Sequence, residues 1–237
     1  MAEVEAVQTA FFLDGLRPSD KVSFAGELKR AAGGLLDGDP AMVPIPDDMT
    51  PEAPRILLKA SGDDYRCNVS INRVDVFLIP RNEEQKSAAP IDPQYQLLQR
   101  KIAGFLTTSM GVRIIRIGIV GTFLLRLGAP GARMIKAAYL CDGAPISGAS
   151  EIQLHALDTV RLLGQLEVNR WVRILSGSRP EGGPDAHIAR MVIDLNTVAE
   201  VRYNFDERAA ERFFDEATSE MVRLLDQHSA ALQRGHP

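Results

Sequence analysis

Two segments in the second half of the sequence carry side chains suited to binding a ligand. In 151–163 and 165–175 apolar and polar residues alternate, the pattern of β-strands with one buried face. The alternation places Trp171 on a polar face with arginine and histidine, a composition typical of interface hot spots and of surfaces that bind anions or bases. Arg190 and Arg116 would join this face if their strands lie nearby. The predicted ligand- or partner-binding residues are Trp171, Arg173, Arg161, His155, Arg190 and Arg116.

Motifs for catalysis and for cofactor binding are missing from the sequence. The run IGIVGTF has two glycines of a dinucleotide-binding turn, Gly118 and Gly121, but it continues as a β-rich segment, which favours glycines within a bent or closely packed strand. Neither G-x-x-x-x-G-K nor G-x-S-x-G occurs, and no base stands beside Cys67 or Cys141 in the chain. We therefore predict no cofactor and no catalytic residue, and favour a protein that is not an enzyme.

The histidines do not form a metal-binding motif. They are too scattered for ligand pairs at helical or hairpin spacing, and HExxH does not occur. The prediction is therefore no bound metal. A site assembled from His155, Asp158 and Asp194, with arginines as anion clamps, is the alternative, and it would make the protein a metal-dependent hydrolase or nuclease.

Composition narrows the classes of partner. The chain has 237 residues, of which 45% are hydrophobic and 24% charged, as in ordinary soluble proteins, and its net charge is −4. This acidity argues against nucleic acid as a partner, because proteins that bind it use positive charge. We predict a non-enzymatic binding or regulatory module that holds a protein or a small ligand on the polar sheet face. The alternatives are nucleic-acid binding on a saddle-shaped sheet, or a solvated face in which arginine stems half cover Trp171.

The N-terminal segment MAEVEAVQTAFF starts with acidic residues where a secretory signal would carry lysine or arginine. The longest nearly apolar run, 117–125, is far short of the roughly 20 residues that cross a bilayer. Cys67 and Cys141 form one pair without a repeated spacing, so we expect buried or half-buried thiols. These features predict a cytoplasmic protein without membrane contact.

The first half of the sequence predicts a strand, a helix, three strands and a second helix. Their residues are 3–13, 20–36, three runs between 55 and 80, and 93 to about 110. Proline at position 93 suits the start of a helix. Five prolines make 39–54 a loop without regular structure, because proline lacks the backbone donor. The segment 81–92 is predicted to be a polar linker.

The second half repeats that order of elements. We predict a strand at 112–127, a helix at 132–140, three strands at 151–163, 165–175 and 187–195, and a helix from about 207 to 232. Asn204 with Glu207 resembles a capping box at the start of the last helix. Apolar residues recur at helical spacing along this helix and should pack across a sheet. They are Ala210, Phe213, Phe214, Ala217, Met221, Leu224 and Leu225, with His228 on the same stripe.

The repeated order predicts an internal duplication. Two similar halves, about 1–111 and 112–237, would form a single domain. They combine most simply into an α+β fold with one antiparallel sheet and long helices packed on one of its faces. The sequence does not determine the order of the strands.

Three stretches resemble a family of uncharacterised bacterial proteins described as sporadically distributed. They are RILLKASGDDYRCNVSINRVDVFLIPR, GVRIIRIGIV and MVIDLNTVAEVRYNFDERAAERFFDEATSEMV. The resemblance covers most of the chain and lies in the apolar pattern and a few punctuating residues. It implies a similar α+β fold and a similar length, and it implies no activity and no catalytic residues.

Overall fold

The structure is a computed structural model that describes residues 2–16, 20–46, 49–87, 92–141, 148–178 and 187–234. Its strands are β1 (Ala2–Leu13), β2 (Ala41–Met42), β3 (Ile56–Lys59), β4 (Tyr65–Val69), β5 (Arg73–Leu78), β6 (Ile114–Arg126), β7 (Gln153–Leu162), β8 (Leu166–Ser178) and β9 (His187–Thr197). Its helices are α1 (Lys21–Ala31), α2 (Glu83–Ser87), α3 (Pro93–Gly104), α4 (Gly131–Tyr139) and α5 (Glu207–Arg234). A π-helical turn, Phe105–Ser109, continues α3.

The strands form one antiparallel sheet in the order β2-β3-β4-β5-β1-β6-β9-β8-β7. The first strands of the two halves, β1 and β6, pair at its centre, with Thr9 opposite Ile119. One end of the sheet is β2, which has two residues, and the other end is β7, which has ten. The predicted α+β fold with one antiparallel sheet is therefore confirmed, while the duplication and the single domain stay predictions.

The two faces of the sheet differ in what covers them. Helices α1, α3, α4 and α5 pack on one face, which we call the helix face, and the opposite side is the open face. Period-2 alternation assigns side chains to the two faces, so the buried Phe11 lies on the helix face and the half-buried Phe12 on the open face. Tyr95 of α3 is fully buried and donates a hydrogen bond to the Val76 carbonyl oxygen at 2.8 Å. This bond fixes α3 to the sheet.

Helix α5 carries the predicted apolar stripe on its buried side. Phe213 and Phe214 are buried, and Phe214 meets Phe11 edge to face with ring centres 5.7 Å apart. At Gly121 of β6 an added Cβ atom would lie 2.6 Å from the Phe123 ring and 2.7 Å from the Met221 sulfur, so a larger residue would displace these side chains. The interpretation of IGIVGTF as a closely packed strand is thus confirmed. Like the other described helices, α5 lacks the combined length and apolar content that crossing a membrane requires.

Several local predictions were wrong. Helix α1 ends at Ala31 instead of residue 36, because Gly33 and Gly34 adopt positive φ angles that end the helical path. The side chain that caps α5 belongs to Asp206, which accepts a hydrogen bond from the Ala209 backbone N–H at 2.7 Å. The predicted cap, Asn204, lies two residues before Asp206 and therefore too far from the helix.

Two segments predicted as loop contain short regular elements. In the proline-rich stretch, Ala41–Met42 pairs with β3. These two residues lie between Pro40 and Pro44 and, unlike the prolines, keep their backbone N–H groups. The predicted linker 81–92 contains α2, where Asn82 accepts a hydrogen bond from the Gln85 N–H. Both elements are too short to show a clear period in the sequence.

Candidate ligand-binding surface

The open face brings all six predicted binding residues onto one surface. On β8, Trp171 lies opposite Asp194 of β9 on one side and Leu157 of β7 on the other. Arg173, two residues further on, lies opposite His155 of β7. The face predicted for Trp171 is therefore correct. The remaining predicted residues are placed on the same face by the alternation of their strands, and they are Arg161 on β7, Arg190 on β9 and Arg116 on β6.

Trp171 and Arg173 form a cation–π pair on this face. The Arg173 guanidinium carbon lies 5.3 Å from the centre of the Trp171 ring. Trp171 is half-buried, and its neighbour Leu157 is 52% exposed. No carboxylate within the described ranges pairs with Arg173, and its Nε atom is buried without a hydrogen-bond partner there. The pair therefore offers a ring and an uncompensated positive charge at the same place.

A second aromatic ring with cations around it lies where the two halves of the sheet meet. The Phe12 ring has the guanidinium carbons of Arg73 and Arg116 at 5.0 and 4.5 Å from its centre. Arg116 donates a hydrogen bond from Nε to the Thr197 carbonyl oxygen at 3.2 Å. Partial burial lowers the pKa of Arg116. Sequence reasoning missed Phe12, because two adjacent phenylalanines in β1 do not show which one faces the core.

Among the strand residues of the open face, basic side chains outnumber acidic ones. The basic residues are Lys59, Arg66, Arg73, Arg116, Arg126, Arg161, Arg173 and Arg190, and the acidic residues are Glu3, Glu5, Asp75, Glu167 and Asp194. Some of these charges pair with each other. Arg190 donates to Glu5 at 2.7 Å, Arg73 lies 2.7 Å from Asp75, and Arg161 lies 3.6 Å from Glu167. The excess of positive charge contrasts with the net charge of −4 for the whole chain.

The alternative metal site does not assemble. Asp158 lies opposite Arg170 on the helix face, where the Arg170 Nε donates to its carboxylate at 2.8 Å. His155 and Asp194 lie on the open face, on strands separated by β8. Within the part of the chain that the structure describes, no three His, Cys, Asp or Glu side chains are grouped so that they could hold a metal ion. An odd number of residues between His155 and Asp158 would have been needed for a shared face.

The side chains that could take part in proton transfer, a Tyr139–His228 pair and Cys67, lie away from the open face. Tyr139 Oη and His228 Nδ1 form a hydrogen bond of 2.9 Å between α4 and α5. Burial raises the pKa of Tyr139 to about 12 and lowers the pKa of His228. Cys67 is fully buried, as predicted for an inward-facing strand residue, and burial raises the pKa of its thiol. Neither thiol nor phenol is therefore ionised near neutral pH.

Comparison with known proteins gives a structural neighbour. No family model matches the sequence, and no curated protein matches it. Among solved structures, the chain is similar to a rolling circle replication initiator protein from Geobacillus stearothermophilus, with a TM-score of 0.39 and 12% identity over 94% of this chain and 83% of that chain. At this level of similarity no residue role is transferred from that protein.

This neighbour contradicts two predictions made from the sequence. The first is a non-enzymatic binding or regulatory module for a protein or small ligand, and the second is the exclusion of nucleic acid as a partner. The matched protein is a replication initiator, a class that acts on nucleic acid. The exclusion rested on net charge, which averages over a chain whose open face is basic.

Proposed function

We propose that the open face of the sheet binds single-stranded nucleic acid. The observation that carries this proposal is the Trp171–Arg173 pair, a tryptophan ring beside an arginine that pairs with no described carboxylate, on a sheet face that no described helix covers. An aromatic ring stacks on any base, and a guanidinium binds a phosphate or stacks on the base as well. One pair therefore supplies both interactions that a nucleotide requires.

The charge distribution of the open face supports a polyanionic ligand. Several arginines on this face remain well exposed: the side chains of Arg161 and Arg190 are 72% and 53% accessible. Each lies close to one carboxylate, so a phosphate can compete with that carboxylate for the guanidinium. Binding should then weaken as salt rises, because each phosphate contact releases condensed counterions.

The rings on the face favour single strands over a duplex. In a duplex the bases are already stacked on each other, so a side-chain ring on a sheet cannot stack on them. Trp171 on β8 lies in one row with Gln8 of β1, three strand spacings or about 14 Å away at roughly 4.8 Å each. Phe12 lies four residues further along β1, about 14 Å at roughly 3.4 Å per residue, so the two rings are about 20 Å apart. A single strand crossing the sheet could stack a base on each ring. We also expect the protein to be cytoplasmic.

The test uses Trp171 itself, because it is the only tryptophan in the chain. Titration with a mixed-sequence single-stranded oligonucleotide should quench its fluorescence, and the affinity should fall with added salt. Arg173→Gln should weaken binding about fivefold, equivalent to about 1 kcal/mol. Arg208→Gln, which removes the same charge from an exposed position on α5, is the matched control and should leave the affinity unchanged.

A duplex of the same sequence should bind more weakly than the single strand. Tighter binding of the duplex would overturn the preference for single strands. Absence of quenching by any oligonucleotide at low salt, or equal losses in Arg173→Gln and Arg208→Gln, would overturn nucleic-acid binding on this face.

A further inference from the structure

A cavity of about 580 Å³ lies on the open face at the end of the sheet farthest from Trp171. Its apolar walls come from Leu57 of β3 and Phe77 of β5, and Asn68 of β4 adds an amide group. Two cationic side chains, Lys59 and Arg66, also line it. None of these residues belongs to the binding residues predicted from the sequence. A ring, an amide and two cations within one cavity are the groups that contact a nucleobase and its phosphate.

Three cations surround the Asp63 carboxylate at this cavity. Asp63 accepts two hydrogen bonds from Arg66, at 3.0 Å to Nε and 2.7 Å to Nη2, and a third from Arg81 at 2.7 Å. One carboxylate thus faces two guanidinium groups, and Lys59 adds a third cation that stabilises its charge. Asp39 also lines the cavity and adds a second carboxylate, whose side chain is fully exposed to solvent. The remaining N–H donors of the two arginines are available to an anion.

The cavity and Trp171 lie on one continuous row of open-face residues. The strand registers place Phe77 opposite Gln8, Gln8 opposite Val120, Val120 opposite Asp194, and Asp194 opposite Trp171. The row spans four strand spacings, about 19 Å. A ligand that crosses the strands at right angles would therefore contact both places. That path is uncharged at its centre, where Gln8 and Val120 lie.

We propose that this cavity binds one nucleotide, with the base against Phe77 and Leu57 and the phosphate on Arg66, Arg81 and Lys59. The inference rests on the proposed function, since it takes the nucleotide to be part of the strand that also covers Trp171. The same chemistry would hold a free mononucleotide, and the experiment separates the two sources.

The experiment measures the affinity of a fluorescein-labelled single-stranded DNA of about 12 nucleotides, within the usual site size of single-strand-binding folds. Phe77→Leu removes the ring but keeps an apolar side chain, and Lys59→Gln removes one cation. Each should weaken binding roughly fivefold to tenfold, as expected for loss of one stacked base or one phosphate contact. Lys101→Gln, on α3 in the helix layer, is the matched control and should bind as the unchanged protein does.

A second titration uses adenosine 5′-monophosphate and inorganic phosphate. Mononucleotide binding that is lost in Phe77→Leu, with oligonucleotide affinity unchanged, would identify a free nucleotide as the ligand of the cavity. If neither ligand binds more weakly to Phe77→Leu or Lys59→Gln, the cavity proposal is overturned. If oligonucleotide binding is lost in Trp171→Ala but not in the cavity variants, the proposed nucleic-acid binding holds and the cavity takes no part in it. Arg81→Gln is a second charge variant and should weaken oligonucleotide binding as Lys59→Gln does. Thermal melts of each variant should show that the fold is retained.

Discussion

Arg170 and Arg173 lie three residues apart on β8, and they have opposite surroundings. Arg170 lies on the helix face, where it donates to Asp158 at 2.8 Å and to Glu220 of α5 at 2.6 Å. Its hydrogen bonds to Asp158 and then to Glu220 raise the pKa of Arg170. Arg173 lies on the open face above Trp171, without a carboxylate partner in the described chain. The same residue type therefore anchors a helix on one side of the strand and remains available to a ligand on the other.

The difference between the two faces extends beyond these arginines. On the helix face, Glu220 accepts hydrogen bonds from Arg223 as well as from Arg170, so charged groups there are paired within the fold. On the open face some arginines pair with carboxylates, as Arg190 does with Glu5, but Arg116 and Arg173 each lie over an aromatic ring. Stability and binding should accordingly depend on different faces of the same strands, and substitutions can separate them.

The largest expected effect is on stability, from a matched pair of leucines. Leu195 of β9 is fully buried on the helix face, whereas Leu157 of β7 is 52% exposed on the open face. Leu195→Ala should lower the free energy of unfolding by about 2 to 5 kcal/mol, because it leaves a cavity in the core. Leu157→Ala should change it by no more than about 0.5 kcal/mol. Urea denaturation of both variants provides the measurement, and similar losses would show that the open face is covered.

A smaller effect is expected from the arginines themselves. Arg170→Met removes hydrogen bonds to two carboxylates and should lower the free energy of unfolding by about 2 kcal/mol. Arg173→Met should lower it by less than about 0.5 kcal/mol and should weaken oligonucleotide binding instead. Urea denaturation and oligonucleotide binding, measured on the same preparations of both variants, test whether stability is lost in one and binding in the other. A loss of binding in Arg170→Met without a loss of stability would contradict the separation of the two faces.

The smallest effect concerns pH and the helix face alone. Burial, together with the charges of Arg170 and Arg223, lowers the pKa of His228 below its ordinary value of 6.5. The unfolded chain then takes up this proton at a higher pH than the folded protein does, so stability should fall as the pH drops below 6.5. His228→Gln should make the melting temperature less dependent on pH between about 7.5 and 5.5. Oligonucleotide binding should show no change that is specific to this variant, since His228 lies on α5.

Alternation in the sequence predicted the arrangement of the second half of the sheet well. Trp171, Arg173 and His155 were placed on one face because apolar residues at every second position define the other face. The stripe on α5 was predicted for the same reason, since Phe213 and Phe214 recur with Met221 and Leu224 at helical spacing. Strong periodicity thus determined both the fold class and the predicted binding surface.

The features that sequence reasoning missed depend on contacts between distant residues. The cavity beside Phe77 combines β3, β4 and β5 with the turn at Asp63, and no spacing along the chain brings these groups together. The net charge of the chain did not indicate the charge of the open face, because the carboxylates and the arginines are distributed unequally over the two faces. The exclusion of nucleic acid as a partner rested on that net charge. The metal site of His155, Asp158 and Asp194 was wrong because strand alternation places Asp158 on the helix face and the other two residues on the open face.

The unequal ends of the sheet affect how the protein behaves at high concentration. The β2 end has two residues and offers another chain little to pair with, but β7 is a ten-residue strand whose outer backbone edge pairs with no described strand. Asp158 stands in the middle of that strand with its carboxylate held by Arg170. A strand of another molecule added to β7 would place its side chains next to the Asp158 carboxylate and bury that charge. The ion pair that anchors the helix layer therefore also disfavours growth of the sheet from one molecule to the next.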